Sequence, residues 1–542
     1  MRTLPRLLTL FALVGCGAES KTLDSGDSVE PADTADTGSG TDTGDGDDDV
    51  VLTWEACPAE LAVDADITCA HPALPLDWDD PTGTAIDVWV MRVPANGTTA
   101  GQVWVLDGGP GGSGIGYAQN RDLLGPLSDA GYELLIPMHR GTGLSEPLTC
   151  ARPNDTAACL ADLQSTWGEG LAHFSTTGAA RDLLGLMDAE PDVGTQLVWG
   201  VSYGTFWGQR ALQLRPDLAD GIVLDGILSL RADVEVNHIR ADPYIRDFLD
   251  LCDADPVCSA GTGGDAEEAL LAGIEAVASG SCPLPFPLTR ADAEDLFASI
   301  MGSEVAPLAL PLATMFSRCD ADDQAAILHL ATTAGGSGEE DPLAFNDILG
   351  AHVAMIDIFA PTHTLEEVEA LEADILLPGY GAADLFAGAE TWADVPREAW
   401  DRQVGTVSTP VLMLQGGLDL ATVAEWSAWA LDDMEAPVET LAFFPYAGHG
   451  TPWFTNTADG SNCSYELMLA FAADPSGTVD LACVEDTLPP DLDLSDPTSQ
   501  AMSEALLGVS DPWRREAAAR PPGQPGPVHL SPAARAALSI IR

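Results

Sequence analysis

The 542 residues exceed what one minimal domain needs, and a hydrophobic share of 46% is that of a folded protein, not a disordered one. Acidic residues outnumber basic ones 85 to 22, a formal net charge of -63. Such a field repels nucleic acid and excludes it as a partner, while it favours solubility and attracts cations such as a peptide's free amino terminus.

At the amino end, Arg2 and Arg6 precede an apolar run over 7–14 that is too short to span a bilayer. Leu13-Val14-Gly15-Cys16 follows and resembles a bacterial lipoprotein signal. The expectation is a signal peptide over 1–16 with Cys16 as the lipidation site. The expectation is then an exported lipoprotein, membrane-anchored in the cell envelope with the outer membrane as the expected site, or secreted. Membrane contact is through the lipid alone. Residues 17–50, rich in Asp, Thr, Gly and Ser and free of aromatics, predict a disordered acidic tether. Setting Cys16 aside leaves ten of the 11 cysteines, an even number that suggests disulfides in an exported chain. Sequential pairing gives Cys57–Cys69, Cys150–Cys159, Cys252–Cys258, Cys282–Cys319 and Cys463–Cys483. Sequence does not fix that connectivity.

Strands are predicted over 86–93, 103–106 and 133–137, and a helix over 179–187. A strand over 196–199 then leads into Gly200-Val201-Ser202-Tyr203-Gly204 and a helix over 205–215. This is the strand, sharp turn and helix of a nucleophile elbow, whose flanking glycines avoid clashes and leave the serine hydroxyl exposed. A strand over 222–224 closes the first part, 51–229. Strands alternating with helices, with glycine-rich loops at strand carboxyl ends, predict a mostly parallel sheet covered on both faces. From 230 to 399 helical patterns dominate, including 266–278, 291–301, 325–331 and 365–373, and predict an inserted helical cap. The sheet resumes over 400–490 with strands at 410–414 and 440–444. Residues 491–542 read as a carboxyl-terminal tail, loosely ordered over 514–532.

Lys21 is the only lysine, which excludes a Ser–Lys dyad, a Schiff-base lysine and a phosphate-loop lysine. No H-E-x-x-H occurs, so no metal is expected. A serine nucleophile needs a base, and the base an orienting acid. His449, between Gly448 and Gly450, and Asp419, in Gly416-Gly417-Leu418-Asp419, each follow a predicted strand. Ser202, Asp419 and His449 occur in the order nucleophile, acid, histidine. The bare backbone of 108–112 supplies an oxyanion hole, with the Gly109 amide joining that of Tyr203. His139 and Arg140 read as structural, Arg140 buttressing the loop beside the site. The remaining histidines, and Trp199 and Trp207, read as surface or packing residues.

Together the GGPGGSG, HRGTGLS, GVSYGT, GLD and AGHG segments resemble the alpha/beta-hydrolase serine aminopeptidases, the prolyl iminopeptidases and the tripeptidyl aminopeptidase-like enzymes. The resemblance spans about 53–490 and includes the late Cys463 to Cys483 segment. It implies an alpha/beta-hydrolase fold with a helical cap, the triad Ser202, Asp419 and His449, no cofactor, and removal of residues from free peptide amino termini. Asp107 departs from the pattern, standing where prolyl iminopeptidases usually have histidine. The residues leave open a carboxylesterase or amidase with the same triad, and a non-catalytic surface binding protein on the same scaffold.

Overall fold

A computed structural model describes residues 50–513 apart from 192, 285, 335–340 and 380. The signal peptide with Cys16, the tether to residue 49 and the segment 514–532 lie outside the described residues.

Nine strands form the central sheet: β1 (Glu55–Ala56), β2 (Thr68–Ala70), β3 (Val90–Val93), β4 (Gly101–Leu106), β5 (Tyr132–Pro137), β6 (Thr195–Val201), β7 (Gly221–Asp225), β8 (Val411–Gly416) and β9 (Glu439–Phe444). They stand in the order β1-β2-β3-β5-β4-β6-β7-β8-β9. The pairs β1–β2, β2–β3 and β3–β5 are antiparallel, and every pair from β5 to β9 is parallel. All residues of β4, β7 and β8 are buried, as expected of strands covered on both faces. The helix Cys463–Ala473 lies close enough that a Cβ at Gly221 would stand 2.7 Å from the Phe471 ring. The exchange of β4 and β5 in an otherwise sequential parallel sheet, with the elbow on the central β6, makes this an α/β-hydrolase fold.

Between β7 and Gly405 the described residues form helices and no strand, in agreement with the helical pattern of the sequence. Helix Ala266–Ala278 packs on Ala309–Arg318 so closely that a Cβ at Gly273 would meet the Ala313 carbonyl oxygen at 2.5 Å. The five disulfides are Cys57–Cys69, Cys150–Cys159, Cys252–Cys258, Cys282–Cys319 and Cys463–Cys483.

Two local expectations are corrected. The strand predicted over 86–93 is two strands, Ala85–Asp87 in a small separate hairpin and β3 in the main sheet. The break has a cause: Val88 N donates to Pro72 O and Trp89 N to Ser145 Oγ, so neither amide is free for a ladder. The tail predicted from 491 begins as packed structure. Helix Pro497–Leu507, capped by Asp496, buries Met502, Leu506 and Leu507, and Trp513 Nε1 donates to Leu492 O. Reading that segment by its Pro and Arg content missed the 3.6-residue spacing of its apolar residues.

Candidate active site

Ser202 sits between β6 and the helix Tyr203–Leu214 at φ 58°, ψ -124°, a region side-chain-bearing residues rarely adopt. A Cβ at Gly200 would lie 2.3 Å from Gly204 O, and one at Gly204 would lie 2.1 Å from Leu106 O. Both positions therefore require glycine, and the second presses the turn against the end of β4, where the glycine-rich loop begins. Ser202 N donates to Asp225 O at 2.9 Å, tying the elbow to the end of β7. One expectation changes here. The serine is not open to solvent but only 6% exposed.

Asp419 and His449 follow β8 and β9, and both are buried. His449 Nδ1 is 2.8 Å from Asp419 Oδ2. The other ring nitrogen, Nε2, is buried with no hydrogen-bond partner among the described residues. Burial alone lowers the affinity of this ring for a proton. The charge and hydrogen bond of Asp419, with the nearby Asp225, outweigh that and hold the pKa above the ordinary histidine value. Asp419 Oδ1 accepts from the amides of Ala421 and Thr422, and Oδ2 from the Thr422 hydroxyl. A Cβ at Gly226 would stand 3.1 Å from His449 Cε1 and Nδ1 and 3.3 Å from Asp419 Oδ2. Asp225 and Gly226 thus lie between the elbow and the Asp–His pair.

Asp107 organises the glycine-rich loop from inside. Its carboxylate accepts from Gly108 N and Gly114 N, each at 2.8 Å, and a Cβ at Gly112 would strike Oδ2 at 2.4 Å. Burial raises its pKa to about 6 against those two amide bonds. The departure from histidine at this position thus has a structural use. Gly109 stands at φ 110° with the Phe345 ring 3.0 Å from where a Cβ would be. Phe345 belongs to the insertion, which pins the loop through Asn346 N to Gly111 O and Ser113 N to Ala344 O. The insertion also reaches the histidine loop, where Gly302 O accepts from His449 N.

Arg140 is fully buried with all five N–H groups engaged: two on Asp182, and the others on the carbonyls of Leu76, His173 and Pro75. It clamps the loop after β5, as its sequence position suggested. Of the other histidines, His352 is a satisfied core residue, bonded to Leu171 O and Trp392 Nε1. Trp199 and Trp207 are buried in the core. Among the described residues no group of three or more His, Cys, Asp or Glu is placed to hold a metal ion.

Sequence reasoning missed Thr422 and Asp225. Thr422 Oγ1 lies 2.8 Å from Asp419 Oδ2 and 3.2 Å from His449 Nδ1. Its place three residues after Asp419, on the same loop, was the available signal. Asp225 Oδ1 accepts from Thr451 N, and Oδ2 is buried with no hydrogen-bond partner among the described residues. An aspartate ending an otherwise apolar strand, Gly221–Asp225, marked it.

No family model matches the chain. It is 28% identical over 211 residues to the tripeptidyl aminopeptidase of Streptomyces lividans, 34% of this chain and 39% of that protein. It is 25% identical over 240 residues to the serine protease Hip1 of Mycobacterium tuberculosis, 39% of this chain and 46% of that one. Over 106 residues it is 32% identical to carboxylesterase B of M. tuberculosis, 18% of this chain and 19% of that one. The matched stretches span less than half of each relative's length. The resemblance to serine aminopeptidases read from the motifs is thus matched by similarity to named peptidases.

Proposed function

We propose that this protein is a serine hydrolase that cleaves peptides from their free amino terminus, with Ser202, His449 and Asp419 as its triad. The observation that carries the reading is a buried Asp419–His449 pair whose remaining ring nitrogen bonds to none of the described residues. That pair sits across Asp225–Gly226 from a serine held at positive φ. His449 Nε2 takes the Ser202 proton as Oγ attacks the scissile carbonyl, and Asp419 holds Nδ1–H and stabilises the imidazolium. The amides of Gly109 and Tyr203 bind the oxyanion. His449 then protonates the leaving amine, and water, activated by the same ring, releases the acyl group. The similarity to a tripeptidyl aminopeptidase and the charge of -63, which draws in cationic amino termini, support the peptide end of the reading.

The similarity to carboxylesterase B favours a second reading, the same machinery acting on esters. A rate comparison separates the two, using a chromogenic tripeptide with a free amino terminus, its acetylated twin and a short acyl ester. Preference for the free amine is the expected result. Indifference to acetylation with faster ester cleavage selects the esterase. Ser202→Ala is expected to lower turnover about 10⁴-fold or more. Undiminished turnover in that variant overturns Ser202 as the nucleophile of both readings, whereas failure of the wild type to react with a fluorophosphonate leaves a binding scaffold.

For location, the reading is an exported protein anchored by lipid on Cys16. The five disulfides fit an oxidising compartment. No helix among the described residues is long and apolar enough to cross a membrane. Loss of membrane association in Cys16→Ala tests the anchor.

A further inference from the structure

A chain of buried hydrogen bonds runs from the loop after β5, through the residue following the nucleophile, to the insertion. His139 Nδ1 is 2.7 Å from Arg140 O, and His139 Nε2 is 3.0 Å from the Tyr203 hydroxyl. That hydroxyl is 2.9 Å from Thr176 Oγ1, which is 2.8 Å from Asp357 Oδ2. Thr176 N also donates to Asp357 Oδ2, at 2.7 Å. Asp357 lies on a π-helical turn, Ala354–Ile358, and all four side chains are buried.

Counting protons shows what this chain requires. Each of the four contacts needs one proton between its two heavy atoms. A neutral imidazole, a phenol and a threonine hydroxyl bring three. A carbonyl oxygen cannot donate, so the ring proton is committed to Arg140 O. His139 Nε2 then accepts from Tyr203, and Tyr203 accepts from Thr176. Thr176 Oγ1 has no proton left for Asp357. If Asp357 is ionised, its oxygen faces a lone pair of Thr176, unless His139 carries a second proton. Burial opposes that, and the Arg140 charge beside the ring opposes it further, although its bond to the Arg140 carbonyl works the other way. The His139 pKa is lowered to about 4.

We propose that Asp357 is a positioning residue whose protonated carboxyl completes this chain and so fixes Tyr203, and with it the turn at Ser202, against the insertion. Burial raises the Asp357 pKa against the two bonds from Thr176. Of the charged groups around it, Arg402 and Arg210 attract the ionised form and Glu398 opposes it. With the proton in place all four contacts are made. As pH rises and the proton leaves, one contact is lost and the insertion loosens from the elbow. The effect on rate rests on the reading of Tyr203 as an oxyanion donor, whereas the proton itself does not.

The test therefore measures the proton without turnover. In a Ser202→Ala background, urea midpoints are followed against pH for the parent, His139→Phe, Tyr203→Phe and Asp357→Asn. Removing either ring partner removes the need for the fourth proton, because the remaining hydroxyls then satisfy an ionised Asp357. The parent is expected to lose stability relative to His139→Phe as pH rises from the ordinary carboxylate range through the raised Asp357 pKa. One proton corresponds to about a tenfold change in the folding constant per pH unit. Tyr203→Phe is expected to give the same difference, so one misfolded variant does not decide the matter. Parallel curves for the parent and both ring variants overturn the proposal. A titration that survives Asp357→Asn places the proton on His139 and overturns the assignment. In the active protein, Asp357→Ala is expected to lower kcat about tenfold with KM nearly constant. An unchanged kcat would leave Asp357 no part in holding the elbow.

Discussion

The loops after β5 and β9 each bring a histidine to the carboxyl-terminal end of the parallel strands, and both rings are almost fully buried. They are prepared for opposite tasks. Both nitrogens of His139 are committed, to Arg140 O and Tyr203, and burial lowers its pKa to about 4. His449 suffers the same burial, but Asp419 at Nδ1 more than offsets it, and Nε2 is left without a partner among the described residues. Burial therefore does not mark a base. A carboxylate on one nitrogen does, with the other not committed to a bond among the described residues.

The sharpest way to break this contrast is to remove the carboxylate. Asp419→Asn is expected to lower kcat about 10⁴-fold, because the amide no longer fixes the ring's tautomer or stabilises its charged form. The pH profile gives a second check. The base form of His449 is the active one, so log kcat/KM in the wild type rises with pH through a His449 pKa above the ordinary 6.5. In Asp419→Asn burial acts unopposed by that charge, and the rise moves to lower pH. A loss below about tenfold would mean another acid serves His449. Asp225 would be the nearest candidate.

Much of this site was legible because sharp turns have strict chemical demands. Gly200, Gly204 and Gly112 each stand where a Cβ would strike backbone or carboxylate within 2.4 Å, and sequence patterns record such demands directly. Close spacing suggested three of the disulfide pairs, Cys57–Cys69, Cys150–Cys159 and Cys252–Cys258, and sequential pairing of the remaining cysteines completed the set. The partners were not legible. Thr176, Phe345 and Asp357 reach the site from elements far apart in the chain, and nothing local to them says what they will touch. The break after Asp87 was invisible for a related reason, since a distant serine side chain takes the Trp89 amide. The burial of Ser202 likewise depends on tertiary packing, which residue spacing does not encode.

Thr422 sharpens the comparison at a smaller scale, since one hydroxyl lies between His449 and its carboxylate, whereas two in series, Tyr203 and Thr176, lie between His139 and Asp357. Thr422→Val keeps the shape and the backbone amide bond to Asp419 Oδ1, and removes the hydroxyl from between Asp419 Oδ2 and His449 Nδ1. One hydrogen bond to a charged group is worth about 1.5–3 kcal/mol, and the carboxylate retains its other partners. The expected fall in kcat is about tenfold at most, with KM little changed. A loss as large as that of Asp419→Asn would show that the hydroxyl, not the carboxylate alone, orients the ring.

Asp225 gives the smallest expected effect on rate and the clearest test of which carboxylate carries the charge. Burial pushes its pKa up to about 7, against the bond from Thr451 N and the attraction of His449. Below that pH its carboxyl is neutral, and Asp225→Asn, which still accepts from Thr451 N, should resemble the wild type within about threefold in rate. Stability should separate the two. The folded-state pKa is raised, so the Asp225 contribution is present below the ordinary carboxylate value and is lost as pH rises to about 7. The urea midpoint of Asp225→Asn should therefore gain on that of the wild type between about pH 4 and about pH 7, then keep a constant lead. A lead that does not change over that range would mean Asp225 is ionised throughout. The His449 imidazolium would then be held by two carboxylates, and the uncommitted Nε2, rather than a single dedicated acid, would be what distinguishes this ring from His139.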